Sequence, residues 1–145
     1  MLVTTRTKVY DFNVHLVWAT KYRKSLFNTD ERRDAMKRII SDIAKANQLT
    51  IQYFEVIPDH IHLLVSFDPQ RSVANVIKSL KGASARQWFK EFPETKKQLW
   101  GGHLWSPSYF VGTVGNVSKN IVAEYIENQL TEYNGPAKSV NSSHE

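Results

Sequence analysis

The chain has no cysteine. This excludes disulfides and thiolate metal sites, so any metal would need histidine, carboxylate or amide ligands. No apolar run approaches the roughly 20 residues needed to span a bilayer. The opening MLVTTRTKVYDFN has no continuous apolar core of the kind a secretory signal carries. Together these absences point to the cytoplasm and away from a membrane. There are no internal repeats and no low-complexity linkers. The chain therefore reads as one domain over 1–133, with a disordered tail, NGPAKSVNSSHE, over 134–145. A hydrophobic share of 41% and an aromatic share of 12% argue against general disorder.

Positive charge is present and unevenly placed. Residues 71–97 hold seven Lys or Arg against two Glu, a balance of +5, which equals the net charge of the whole chain. A second cluster, Lys21-Tyr22-Arg23-Lys24, follows the first apolar segment. Phosphate backbones attract such patches, and Tyr22 or Trp88 nearby can stack on bases. A solvated helix face is the commoner reason for a charge run, so charge alone only leans toward nucleic acid. The candidates for contact with nucleic acid are Lys21, Arg23, Lys24, Lys78, Lys81 and Arg86.

The hydrophobic pattern predicts a strand over Val9–Ala19, then a helix over 29–47 with Asn28 as N-cap and Glu31 completing a capping box. Leu49–Ile57 and His60–Phe67 read as a hairpin around Pro58-Asp59. A second helix covers 72–91, with Val73, Val76, Ile77, Leu80, Ser84 and Trp88 on its core stripe. Residues 93–106 are irregular, Pro107–Val114 reads as a fourth strand, and a last helix covers 118–133. The order βαββαβ plus a C-terminal helix predicts an α+β fold. It is a ferredoxin-like or RRM-like antiparallel sheet with the first and third strands central.

The segment PDHIHLLVSF places two of the chain's five histidines two residues apart. In a strand, His60, His62, Leu64 and Ser66 share one face, and Ile61, Leu63, Val65 and Phe67 the other. The all-apolar set is the core face, which leaves two imidazoles side by side, about 7 Å apart. Such rings can converge on one divalent ion. From spacing alone, two polar residues satisfied by carbonyls or water are the commoner case. His15, His103 and His144 are equally open as third ligands. His15 and Glu55 otherwise read as structural.

On the last helix, AEYIENQL sets Tyr125 and Gln129 four residues apart on one face. Val122, Ile126, Leu130 and Tyr133 form the neighbouring apolar stripe. A tyrosine at that margin is usually a packing residue with its hydroxyl in water. It is also suited to nucleophilic attack on a phosphodiester, given a metal or cation to stabilise the charge. Gln129 can offer a metal its amide oxygen or simply bind water.

Taken in order, HLVWATKYRKSLF, VIPDHIHLLVSF, IKSLKGASARQWF, LWSPSYFVGTVG and YIENQ resemble the single-tyrosine HUH transposases of the IS200/IS605 type over roughly residues 8–133. The resemblance implies that His60, His62 and Gln129 hold a divalent metal, Mg²⁺ or Mn²⁺. It further implies that Tyr125 cuts single-stranded DNA and keeps the 5′ phosphate, so strands are exchanged without ATP. Members of this family are similar in recognising hairpins near element ends. They act as homodimers in which the histidines of one subunit face the tyrosine helix of the other. Gly112 and Gly115 fit the hinge that such an arrangement needs. The main rival is a non-catalytic RRM-like module that binds single-stranded nucleic acid. A domesticated relative that cuts host repeats would use the same residues.

Overall fold

The computed structural model describes residues 2–113 and 124–128. Its elements are β1 (Val3–Thr4), β2 (Val9–Tyr10), β3 (Asn13–Ala19), α1 (Asp30–Ala46), β4 (Thr50–Ile57), β5 (His60–Ser66), α2 (Val73–Glu91) and β6 (Phe110–Thr113). β3 to β6 form one antiparallel sheet in the order β4-β5-β3-β6, so the first and third long strands are central as expected.

The expected strand over 9–19 is divided. Val9–Tyr10 pairs with Val3–Thr4 in a separate two-stranded ribbon, and only Asn13–Ala19 joins the main sheet. The loose alternation at its start explains the break. Val9 is exposed, whereas from Val14 onward nearly every residue has core or sheet contacts to make. The fourth strand is likewise shorter than 107–114. Pro107 has no N–H for a ladder, and the chain before it is tied instead by Ser106 N–H to the Ala19 carbonyl at 2.9 Å.

α1 begins one residue later than expected. Thr29, not Asn28, is the N-cap, and its hydroxyl accepts from the Arg32 N–H at 3.1 Å. That register puts Asp30 and Glu31 in the first turn, where the helix dipole favours negative charge. α2 is capped in the same way by Ser72, which accepts from the Asn75 N–H at 3.0 Å.

Both helices pack on one face of the sheet. Leu16, Trp18, Ile61, Leu63 and Val65 meet Met36, Ile39 and Ile40 of α1 and Val76, Ile77, Leu80 and Trp88 of α2 in a single buried cluster. The tryptophan-rich stretch 93–106, irregular as expected, forms two 3-10 turns that close this core. Trp88 Nε1 donates to the Thr95 hydroxyl and Trp105 Nε1 to the Ser84 hydroxyl, each at 3.0 Å. These bonds let large aromatic surfaces be buried without leaving an indole N–H unpaired. With the helices on one side, the sheet's other face carries the polar positions of β5.

Candidate active site

Burial along β5 alternates as its sequence requires: Ile61, Leu63 and Val65 are buried, and His60 and His62 only partly so. Strand pairing then determines what surrounds them. His62 lies opposite Glu55 of β4 on one side and Val17 of β3 on the other, and Val17 in turn pairs with Phe110 of β6. His15 is one ladder step along, opposite Leu64 and Gly112. Paired residues in an antiparallel ladder point to the same face, so Glu55, His62, His15 and Phe110 share the open face with His60.

Each histidine has a defined partner. His60 Nδ1 lies 2.8 Å from Asp59 Oδ1. A carboxylate acceptor holds the proton on Nδ1 and leaves the Nε2 lone pair for a metal. Asp59 Oδ2 accepts from Arg23 Nε at 2.9 Å and Nη2 at 2.6 Å. Burial alone would raise the Asp59 pKa. The hydrogen bonds from His60 and Arg23 outweigh it and hold the carboxyl below its usual range. His62 Nε2 lies 3.0 Å from His15 Nδ1, and the Tyr53 ring meets the His62 ring edge-on. Burial lowers the pKa of both His15 and His62; for His62 the neighbouring His15 adds to this and Glu55 opposes it. Both rings are thus biased toward the neutral imidazole that ligation requires.

The tyrosine lies on the same face. Residues 124–128 are helical, and Tyr125 is half-buried. Its ring packs on Phe110 with centroids 6.1 Å apart, and its hydroxyl is 3.1 Å from Ser108 Oγ. Phe110 is two strand spacings from His62, roughly 10 Å. Arg23 Nη1 donates to the Ile126 carbonyl at 2.7 Å, so the guanidinium that holds Asp59 also holds the segment bearing Tyr125.

Residues 8–129 match the family described as IS200-like transposase. The chain belongs to the IS200-like transposases. It is 44% identical to the ISDra2 transposase TnpA of Deinococcus radiodurans over 124 residues, which is 86% of this chain and 88% of that one. It is 34% identical to the transposase for insertion sequence element IS200 of Salmonella typhimurium, over 81% and 76% of the two chains. A Deinococcus radiodurans crystal structure at 46% identity superposes with a TM-score of 0.82 over 88% of this chain and 97% of that one. A REP-associated tyrosine transposase bound to a REP hairpin shares the fold, with a TM-score of 0.50 and 14% identity over 92% and 76% of the chains.

In this transposase the donor set around the histidines fits a metal in part. His60 presents a carboxylate-oriented ring, and His62 one whose Nε2 is matched to His15. Among the described residues no three His, Cys, Asp or Glu side chains gather to hold an ion. Gln129, the expected third ligand, lies outside the described residues, as do Gly115, His144 and the tail. Gly112, expected at a hinge, is instead inside β6 opposite His15.

The expected DNA contacts divide into three groups. Lys21, Lys81 and Arg86 line one groove of about 590 Å³ with Lys96 and His103, between α2 and residues 102–107. Lys81 is mostly withdrawn from it. Its ammonium donates to the Ser106 and Ser108 carbonyls at 2.7 and 3.2 Å, and burial brings its pKa down to about 8. Lys24 and Lys78 are exposed and are not among the residues lining the groove. Arg23 belongs to the histidine site, not to the surface, with 13% of its side chain exposed. His15 and Glu55, which read as structural in sequence, stand beside His62. The two-residue Pro58-Asp59 turn pairs Ile57 with His60 and so sets Glu55 opposite His62, which the sequence could have given; His15 depends on the register between β3 and β5, far apart in the chain.

Proposed function

We propose that this transposase cuts and rejoins single-stranded DNA through a 5′-phosphotyrosine on Tyr125. The observation that carries the reading is the placement of Tyr125 and the His60/His62 pair on one open sheet face, spanned by Arg23. The Tyr125 oxygen attacks the scissile phosphorus and the P–O3′ bond breaks. The phenolic proton passes to water, and the leaving 3′ oxygen takes a proton from water to become a hydroxyl. The 5′ phosphate stays on the tyrosine. A 3′ hydroxyl attacking that ester reverses the exchange, so the bond energy is conserved and no ATP is needed.

A divalent ion, Mg²⁺ or Mn²⁺, held by His60, His62 and Gln129, would neutralise charge on the phosphate oxygens. The nitrogen ligands favour Mn²⁺ serving at least as well as Mg²⁺. Asp59 orients the His60 ring, and Ser108 holds the Tyr125 hydroxyl. The groove lined by Lys21, Arg86, Lys96 and His103 grips the DNA backbone. Trp100, 84% exposed beside it in sequence, offers a flat face to an unpaired base. The REP-hairpin complex of a transposase with this fold supports a hairpin as the folded part of the substrate. The working unit is a homodimer, and subunit mixing decides which chain's tyrosine serves which histidines.

Covalent capture tests the reading. The protein is incubated with labelled single-stranded DNA carrying hairpins and flanks from its genomic neighbourhood, with Mn²⁺ or Mg²⁺, and resolved on denaturing gels. The expected result is a metal-dependent adduct absent in Tyr125→Phe and in His62→Ala. Binding without an adduct under both metals would instead favour a non-catalytic module.

A further inference from the structure

Tyr22 and Arg23 follow one another in the left-handed region, with φ of 59° and 55°. Side-chain-bearing residues rarely adopt this conformation, and two in succession mark a turn held by its surroundings. The turn directs the Arg23 guanidinium inward. Nε and Nη2 both reach Asp59 Oδ2, and Nη1 reaches the Ile126 carbonyl. The other Asp59 oxygen takes the His60 ring. One planar group therefore spans the hairpin turn that orients His60 and the segment that carries Tyr125.

We propose that Arg23 is a positioning residue that couples docking of the tyrosine segment to the orientation of His60. The proposal rests on the reading of His60 as a ligand and Tyr125 as the nucleophile. The guanidinium's donors lie in one rigid plane, so its bonds to Asp59 and to Ile126 are made together or weakened together. When residues 124–128 leave the sheet, Nη1 loses its carbonyl in a partly buried place. The guanidinium turns toward water, and Asp59 loses the donors that fix it. The coupling is reciprocal: whatever fixes His60 also favours the docked tyrosine. Lysine cannot substitute fully, because one ammonium reaches Asp59 or Ile126 but not both in this geometry.

The test uses the whole chain with Arg23→Ala, Arg23→Lys and Asp59→Asn, and three readouts. ¹⁵N NMR reports the His60 tautomer, hydrogen exchange reports residues 124–128, and Mn²⁺ relaxation reports metal affinity. In Arg23→Ala the His60 ring is expected to pass from the Nδ1–H form to a mixture. Exchange at 124–128 should rise about fivefold, and Mn²⁺ affinity should fall by about 10- to 100-fold. Arg23→Lys is expected to restore the tautomer but not the slow exchange. Asp59→Asn, which alters neither partner of the Arg23–Ile126 bond, should raise exchange at 124–128 through the coupling, and unchanged exchange there would count against it. Unchanged tautomer and exchange in Arg23→Ala would overturn the proposal, and so would faster exchange throughout β3 and β5, the mark of a merely structural residue. If the wild type binds no Mn²⁺, the metal reading fails, and the tautomer and exchange still decide the coupling.

Discussion

Phe110 and His62 stand on either side of Val17, each paired with it across β3. Val17 is fully buried, so the row between the two is closed over. The packing partner of the tyrosine and the central histidine thus belong to one rigid ladder. Phe110→Ala removes the ring contact that seats Tyr125 and leaves the helix-side core untouched. Aromatic pairs contribute about 0.5–1.5 kcal/mol beyond their area, so the adduct rate should fall about two- to tenfold. Single-turnover cleavage measures this, with an unchanged melting temperature as the control.

Ser108→Ala deletes one hydroxyl partner of Tyr125. A neutral hydrogen bond is worth about 1 kcal/mol net, so a decrease of roughly fivefold in adduct formation is expected, in contrast to its complete loss in Tyr125→Phe. A Ser108→Ala protein as inactive as Tyr125→Phe would mean that the serine takes part in the chemistry.

Subunit mixing decides whether sites are shared. Tyr125 meets Ser108 and Phe110 of its own chain, whereas a shared site pairs it with the partner's histidines. If sites are shared, mixing Tyr125→Phe with His62→Ala subunits regains up to about a quarter to a half of wild-type adduct, by the statistics of subunit pairing. If each chain uses its own tyrosine, the mixture remains inactive.

The groove makes a salt-dependent prediction. Arg86→Ala and Lys96→Ala should weaken binding across DNA sequences, and each should lower the slope of log affinity against log salt by about 1. Trp100 is the tryptophan open to solvent, since Trp18, Trp88 and Trp105 are buried. Quenching of fluorescence by single-stranded DNA should therefore vanish in Trp100→Phe. Persistent quenching would place the bases elsewhere.

The lowered Asp59 pKa has a sign. In the ordinary carboxylate range, near 3.8, the folded chain binds fewer protons at Asp59 than the unfolded chain does. Its stabilising contribution is thus present above that value and lost as pH falls through the lower folded value. Urea midpoints measured from pH 7 to pH 3 should decline more steeply in the wild type than in Asp59→Asn.

The alternation of β5 was legible because strand periodicity dictates which side chains share a face, and the outcome holds in the burial of Ile61 and Leu63 beside His60 and His62. The helix boundaries were nearly as clear. Asn28 and Thr29 are both competent caps, and only the position of the chain entering α1 selects Thr29. The first strand was over-read because an apolar run does not reveal where its pairing partner changes.

The sequence by itself determined the order of elements, the central strands, the histidine pair and, through resemblance, the family. These follow from local periodicity and from motifs whose spacing survives in the chain. Only the tertiary structure brought Arg23, Asp59 and Ile126 together and set His15 beside His62. Their sequence separations run from 36 to 103 residues. Contacts of that kind depend on strand register and on an inward-turned side chain, and neither leaves a periodic mark on the residues that make it.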